Sequence, residues 1–519
     1  MQRKAGVVLP LFSIRTGRDW GIGQLTDLAA CAAWVRRTGH TLLQILPPHE
    51  LSAGETSPYG ALTAFGIDPI YVGVEAVEDL DAASIEEALG AQGRADLGRV
   101  RGADRVDYGT VRALKLRALR TAFDRFYARE WLANTPRAKA LAGFIAREHA
   151  WLDDFALYTT LRTVHGGWGW TSWPDDEKER GIQRLASLRA EHARSILECA
   201  YLQWVAIEQW DRARADMRAL GVELMGDLPF VVGIESADVW SHASQFQLRL
   251  SLGAPPDDYS ADGQDWGLPP FDWLAMENDD LAWLRARTQH AARLYDRFRL
   301  DHVVGFFRQW VKPRSAIGAR GRFDPADGDA QQARGGRVLA VMKSEVMRTP
   351  GVDAPRIIAE DLGIIPAFVR ASLQALGMPG YRVLPWERDD AGFRDPFGYP
   401  ANSVASWSTH DTAPITSWWS ELPETHRREL GERAGLLREF SDDARSLVLL
   451  HELYSANSEL ALVLAQEVLG LPDRINTPAT VGPDNWTWRM PSPVENLDKD
   501  PRLSARFDAI RALVVAARR

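Results

Sequence analysis

What most constrains the fold of this chain is a strand–helix–strand unit at its start, whose rhythm returns after a long interruption. Two strand-like runs, 6–14 (GVVLPLFSI) and 41–49 (TLLQILPPH), flank residues 25–38 (LTDLAACAAWVRRT), where apolar residues recur at helical spacing and Gly39 gives a stop signal. Such a unit implies parallel strands and a right-handed crossover. The third strand-like run, 222–232 (VELMGDLPFVV), follows a stretch rich in Ala, Leu, Arg and Glu, of which 83–160 and 181–220 read as mostly helical. The alternation then resumes, with strands expected at 298–304, 356–362, 381–386 and 403–409, and helices at 337–349 and 366–376. A helical stretch is expected over 424–471, then loop-rich text and a last helix near 502–517. With 519 residues, the chain is long enough for an α/β barrel with large insertions or for two to four ordinary domains. A helical insertion of this length belongs outside the barrel wall and forms a subdomain.

Composition narrows the function classes. Apolar content of 45% and charged content of 25% are those of a soluble globular protein, and a net charge of -9 argues against a nucleic-acid or anionic-membrane surface. The two cysteines, Cys31 and Cys199, form no CxxC pair, so neither a disulfide framework nor a zinc knuckle is expected. The opening MQRKAGVVLPLFSI resembles a signal peptide only superficially, because Pro10 interrupts its apolar run and no small-residue cleavage site follows. A cytoplasmic protein is expected. The GIG at 21–23 lacks the third glycine of a dinucleotide fingerprint.

Three acids carry the chemistry. Asp301 (RLDH), Glu360 (AEDLG) and Asp411 (THDT) each close a short strand-like run and each has a His, Arg or second acid nearby. Carboxylates at the C-terminal ends of barrel strands sit on the rim where such enzymes work. An acid after a strand is also a common helix N-cap, so one alone would be structural more often than not. Three in order suit glycoside chemistry, which needs a nucleophile, a proton donor and a group that steadies a cationic sugar. Many of the 20 tryptophans also sit in loop-like text, as in HGGWGWTSWP, GQDWGLPP and DNWTWRMP. Indoles there serve either as platforms for sugar rings or as packing that anchors the loops.

At these motifs the chain resembles the amylomaltases, the 4-α-glucanotransferases also called disproportionating enzymes, over almost its whole length. SPYGALTAFGIDP (57–69) is similar to the family's SPYQSxSxFAGNP, and VDYGTVRALK (106–115) and WLDDFALYTTLRTVHGGWGWTSWP (151–174) to its helical-insert signatures. GDLPFVV, APPDDYSADGQDWGLP, RLDHVVGF, AEDLG, STHDT and RINTP follow in family order. The resemblance implies a (β/α)8 TIM barrel of the α-amylase clan over 1–519, without the clan's C-terminal β-domain. A mainly helical subdomain over 75–205 and an active-site loop subdomain over 245–290 would interrupt it. It implies Asp301 as nucleophile, Glu360 as acid/base and Asp411 as third carboxylate. Arg299, His302 and His410 would surround the central sugar, and Tyr59, Asp227, Asp257, Gln264, Trp266 and Asn476 would line the donor and acceptor sites. The chain departs from the family at Val304 (HVVGF for HFRGF), Thr412 (THDT for THDN), Leu268 (WGLP for WGNP) and SPYGA for SPYQS. All the acids remain, so these departures bear on subsite preference rather than on reaction class.

Read residue by residue, Arg299 lies two positions before Asp301 and shares its face of the strand, where it either keeps that carboxylate charged or pairs with a neighbouring strand. Glu360, close to Asp301, is expected to be pushed towards its protonated form, the state an acid catalyst needs. Asp361 points the other way and is expected to cap the helix starting near Pro366 or to brace the barrel. Asp411 with His410 suits the hydroxyls of a distorted sugar. His302 and His410 lack a third ligand at metal spacing, so neither metal nor cofactor is expected. The expected partners are α-1,4-glucan donors and acceptors (maltooligosaccharides, starch, glycogen), not nucleic acid or membrane. The residues alone do not separate a transferase from a hydrolytic α-amylase or debranching enzyme with the same triad; the resemblance favours transfer. A non-catalytic glucan-binding barrel would have lost a triad acid, and none is lost.

Overall fold

The computed structural model describes residues 3–256, 263–314, 321–350, 357–390, 392–436, 440–478, 480 and 482–519. Eight parallel strands close into a barrel: β1 (Lys4–Val8), β2 (Leu42–Gln44), β3 (Glu223–Leu228), β4 (Arg297–Leu300), β5 (Ile357–Ala359), β6 (Gly380–Val383), β7 (Ser403–Ser406) and β8 (Leu460–Leu464). They neighbour one another in chain order, and β1 closes the ring by pairing with β8 from Lys4↔Leu460 to Val8↔Leu464. Every residue of β5, β7 and β8 is buried. Strands covered on both faces read as continuous apolar runs, as IIA and LALVL do, whereas SVAS buries two serines as well.

Helix α1 (Leu28–Arg37) crosses from β1 to β2. Between β2 and β3 the chain builds α2 (Ala82–Gly102), α3 (Tyr108–Phe126), α4 (Pro136–Val164) and α5 (Ala193–Ala219). Their starts are specified locally. Asp81, Asp107 and Thr135 accept hydrogen bonds from the backbone N–H groups of Ser84, Thr110 and Ala138, and Pro136 opens α4. On the other side of β3, residues 250–254, 264–265, 309–313 and 322–324 form a four-stranded antiparallel sheet that carries Gln264. The last wall of the barrel is made by α6 (Ala282–Leu294), α7 (Gly328–Arg348), α8 (Ala367–Leu376), α9 (Asp442–Ser455), α10 (Ala465–Leu469) and α11 (Pro501–Ala516). No helix among the described residues is long and apolar enough to cross a membrane.

Three expectations need correction. The first strand ends at Val8, because Pro10 cannot donate to a ladder and a 3-10 turn follows at Leu11–Ser13. The second spans only Leu42–Gln44. The helical reading of 424–471 hides β8, whose Leu-Ala-Leu-Val-Leu has no alternation and is composed mainly of helix formers. Asp361, the residue beside Glu360, braces the barrel and does not cap α8, whose N-cap Pro366 has no side-chain bond. Its carboxylate accepts from the Tyr381 N–H at 2.6 Å and pairs with Arg370 at 3.2 Å and Arg382 at 3.4 Å. A Cβ at Gly380 would stand 2.6 Å from the same carboxylate, so a side chain there would displace Asp361 from these partners.

One buried ion pair ties the C-terminal segment to the start of the chain. Arg489 and Asp19, both almost completely buried, meet at 2.7 Å, and Arg489 also donates to the carbonyls of Val100 and Ala103 at 2.9 Å each. Removing one partner of such a pair strands a charge in a low-dielectric interior. Arg489→Met is expected to cost about 3–5 kcal/mol of unfolding free energy, measured by chemical denaturation. A loss below about 1 kcal/mol would show that this pair does not anchor the segment.

Candidate active site

The barrel ladder sets the first two acids directly. The Asp301 N–H donates to the Leu228 carbonyl and the Glu360 N–H to the Leu300 carbonyl, each at 3.0 Å, so the ladder continues one residue past β4 and past β5. Both side chains therefore stand on the C-terminal rim, where barrel enzymes place their chemistry. Asp411 is placed differently from the expected strand end. It lies five residues beyond β7, in a turn that Thr412 closes. The Thr409 N–H donates to the Thr412 hydroxyl at 2.8 Å and the Thr412 N–H returns to the Thr409 carbonyl at 3.1 Å. The threonine that replaces the family's asparagine thus has a structural use.

Arg299 organises the acids. One of its terminal nitrogens contacts both oxygens of Asp227, on β3, at 2.8 Å, so the neighbouring-strand pair considered from sequence exists. The other terminal nitrogen meets Asp301 at 2.8 Å and Glu360 at 3.9 Å. Both of these distances start from one nitrogen, so the two catalytic-type carboxyls approach within about 6.7 Å of each other. That bound on the nearest oxygens is compatible with the roughly 5–5.5 Å carboxyl separation of retaining glycosidases.

One guanidinium serves three carboxyls, and Glu360 has the poorest contact with it. Burial pushes Glu360 up to about 8; Arg299 opposes the shift and the neighbouring Asp301 adds to it. Its oxygens are fixed by the N–H of His302 at 2.7 Å and of Leu362 at 3.1 Å. His302 reaches this position through a left-handed backbone, φ 44°, which a non-glycine residue adopts only when its surroundings hold it there. Asp411 shows the opposite balance. Burial would raise it, but His410, Asn476 and Arg299 together hold it well below the usual carboxylate range. Asn476 donates to Asp411 at 2.7 Å, and His410 Nε2 lies 3.2 Å from the other oxygen.

Tyr59 links the two halves of the site. Its hydroxyl donates to Asp227 at 2.8 Å and stands 3.0 Å from His410 Nε2. The hydroxyl proton is committed to Asp227, so His410 Nε2 carries a hydrogen and donates to Tyr59. Tyr59 also stacks on His410, with centroids 5.5 Å apart and an angle of 23°. Trp266 meets His302 edge-on at 4.8 Å, and its indole N–H donates to Gln264 Oε1 at 3.0 Å. It is half-buried rather than a free-standing platform.

These groups surround a cavity of about 580 Å³ lined by Tyr59, Gln264, Trp266, Arg299, Asp301, His302, Glu360, His410, Asp411 and Asn476. Asp227 lies beneath it, fully buried. Asp257 and Tyr259 lie outside the described residues. Glu55, Leu362, Trp386 and Trp486 line the cavity as well. Sequence reasoning gave Glu55, Leu362 and Trp386 no place there. Trp486 was only one of several loop indoles, and Trp386 follows a short strand whose end was not separable from a 3-10 turn. Of the departures, Leu268 and Gly60 line the cavity, whereas Val304 is almost buried.

A family profile described as 4-alpha-glucanotransferase matches residues 9–495. The 4-alpha-glucanotransferase of Chlamydia muridarum is 30% identical, covering 97% of this chain and 94% of its own. The chloroplastic/amyloplastic enzyme of Arabidopsis thaliana is 31% identical over 95% of this chain and 82% of its own. Among solved structures, the amylomaltase from Streptococcus agalactiae in complex with acarbose superposes with a TM-score of 0.85 at 25% identity, covering 100% of both chains.

If Glu360 donates the proton in this site, activity requires its acid form. Initial-rate kcat/KM on maltotriose is therefore expected to fall as the pH rises through about 8. Activity still rising above pH 8 would contradict the buried, protonated Glu360.

Proposed function

The chain belongs to the 4-alpha-glucanotransferase family, and we propose that Asp301 is its nucleophile, Glu360 its acid/base and Asp411 its third carboxylate. The enzyme transfers α-1,4-glucan segments by a retaining double displacement. The observation that carries the assignment of roles is the shared Arg299, which contacts Asp301 at 2.8 Å and Glu360 only at 3.9 Å. In the first half-reaction an Asp301 oxygen attacks the anomeric carbon while the Glu360 proton passes to the leaving sugar oxygen. In the second, ionised Glu360 takes the proton of an acceptor 4-hydroxyl, which attacks the same carbon and releases Asp301. Asp411, held ionised by His410 and Asn476, is suited to ring hydroxyls that bind more tightly as positive charge develops. Arg299, His302, His410, Tyr59, Gln264, Trp266 and Asn476 hold the sugars around the cleaved bond, with Asp227 positioning Arg299 and Tyr59. Asp257 belongs to the same set by its motif. Maltooligosaccharides, starch and glycogen are the donors and acceptors. The helical segment 75–205 and the loop region 245–290 act as subdomains walling the cleft. The location we propose is the cytoplasm, in keeping with two free, buried thiols, Cys31 and Cys199.

Incubation with maltotriose alone is expected to yield glucose together with dextrins longer than the substrate, resolved by chain length, and Asp301→Asn to abolish both. Products confined to shorter sugars would mean hydrolysis.

Transfer also requires that a sugar reach the intermediate before water does. Trp266 stands edge-on to His302 beside Asp301 and walls that approach. Trp266→Ala is expected to raise the ratio of hydrolysis to transfer by roughly three- to tenfold, the scale of one lost aromatic contact. An unchanged ratio with a lowered melting temperature would reduce Trp266 to loop packing.

A further inference from the structure

We propose that Glu467, which does not touch the substrate cavity, is a positioning residue that works as a neutral carboxylic acid and locks the 408–415 loop carrying His410 and Asp411. The inference rests on the glycosyl-transfer reading above and adds to it a part that the triad does not contain.

The argument is a count of protons. Glu467 lies in α10, which directly follows β8, and is almost fully buried. Its Oε1 stands 2.6 Å from the Ser408 hydroxyl and 3.3 Å from the Ile415 N–H; its Oε2 accepts from the Leu464 N–H at 2.9 Å. Ser408 Oγ is also 2.9 Å from the Ala413 carbonyl. A hydroxyl has one proton to give, and a carbonyl only accepts. For both short contacts of Ser408 to be hydrogen bonds, Ser408 must donate to Ala413, and the proton between Ser408 and Glu467 must belong to Glu467. The acid oxygen remains free to accept the longer contact from Ile415.

This arrangement closes a loop. The Ser408–Ala413 bond ties its two arms together, Glu467 holds both arms to α10, and the Thr409–Thr412 turn makes the segment between them one unit. Asp411 and His410 ride on that unit. Loss of the Glu467 proton to solvent would leave an acceptor-only carboxylate. Ser408 would turn its hydroxyl towards it, and the Ala413 carbonyl would lose its donor. The tie between the loop's two arms opens in that state, and Asp411 is held less firmly relative to Asp301.

The charged surroundings bear on when this happens. Arg506 of α11 donates to the Glu467 carbonyl at 2.7 Å and to the Val468 carbonyl at 2.9 Å and pairs with Asp443 of α9. Tyr454 of α9 lies nearby, with its hydroxyl 2.9 Å from His40 Nε2, and His410 and Asp411 sit on the loop itself. Arg506 favours the ionised form, but its donors are engaged by carbonyls and by Asp443. Burial prevails and pushes Glu467 up to about 7, below the 8 of Glu360.

The test is kcat and KM on maltotriose from roughly pH 5.5 to 9 for the wild type, Glu467→Gln, Glu467→Ala and Ser408→Ala. A glutamine amide also donates to Ser408 and accepts from Leu464, but it does not titrate. The wild-type rate is expected to start falling near pH 7 and Glu467→Gln only near pH 8, where Glu360 ionises. At pH 6 Glu467→Ala is expected to lose roughly a hundredfold in kcat, the scale of a misplaced catalytic group, with less than about a threefold change in KM. Glu467→Gln restores kcat to within about fivefold of wild type on the same reasoning. Ser408→Ala is expected to lower kcat at every pH and to lose the onset near 7, which keeps the test decisive if Glu467→Ala does not fold. The same onset in wild type and Glu467→Gln, or wild-type kcat in Ser408→Ala, would overturn the proposal. A wild type that made no longer dextrins would overturn the transferase reading instead.

Discussion

Everything at the catalytic end of this barrel depends on a shortage of positive charge. Arg299 is the guanidinium that reaches Asp227, Asp301 and Glu360, and its geometry divides their roles. Asp227 takes one nitrogen with both oxygens and thereby fixes the guanidinium plane. Asp301 receives the other nitrogen at hydrogen-bond distance. Glu360, furthest from the cation and mostly shielded from water, is pushed towards its protonated form. A low-dielectric site makes such inequality matter, because an unpaired buried charge is costly and the group protonates instead. This inequality is what supports the proposed division of two carboxyls of similar intrinsic strength into a nucleophile and an acid.

The rest of the architecture keeps that balance in place. Ladder bonds that run one residue past β4 and β5 set Asp301 and Glu360 on the rim without relying on a flexible loop. Rigid first placement of reacting groups is worth more than any single contact, since misalignment by an ångström is felt steeply in rate. The third acid is the exception. It rides on a turn, and the turn is held from several sides: Asn476 and Arg474 from one flank, His410 through Tyr59 from another, and Glu467 from behind. A turn so tied can move as one piece, which suits a group that must tighten on a sugar whose shape changes during reaction.

Much of this was legible in the sequence, for physical reasons that can be named. Glu360 was visible because a buried parallel strand writes an apolar run, IIA, that the acid follows at the rim, and Asp301 because it closes the strand-like RFRL beside a histidine. Arg299 was visible because two residues on a strand share a face. β8 was not, since LALVL offers neither alternation nor β-branched enrichment, and only its pairing with β1 and β7 makes it a strand. Asp411 was read as a strand end although β7 stops at Ser406, because side-chain bonds within the Thr409–Thr412 turn leave no periodic trace. Glu467 sits in the same misread stretch, and its role depends on contacts with residues more than fifty positions away. Asp361 shows the reverse case: the sequence placed it off the catalytic face, and its bonds to Tyr381, Arg370 and Arg382 give the reason.

The central claim is that one arginine splits two neighbouring carboxyls into an attacking anion and a proton donor. It is tested most directly by capture of the covalent intermediate. Glu360→Gln, treated with a maltosyl fluoride whose leaving group needs no proton, should accumulate a glycosyl ester because no base remains to activate the acceptor. Peptide mass mapping of the quenched enzyme is predicted to find one maltosyl unit on the peptide containing Asp301, and on that residue within it. Label on another residue, or turnover of the fluoride with no ester detectable under rapid quench, would contradict the account.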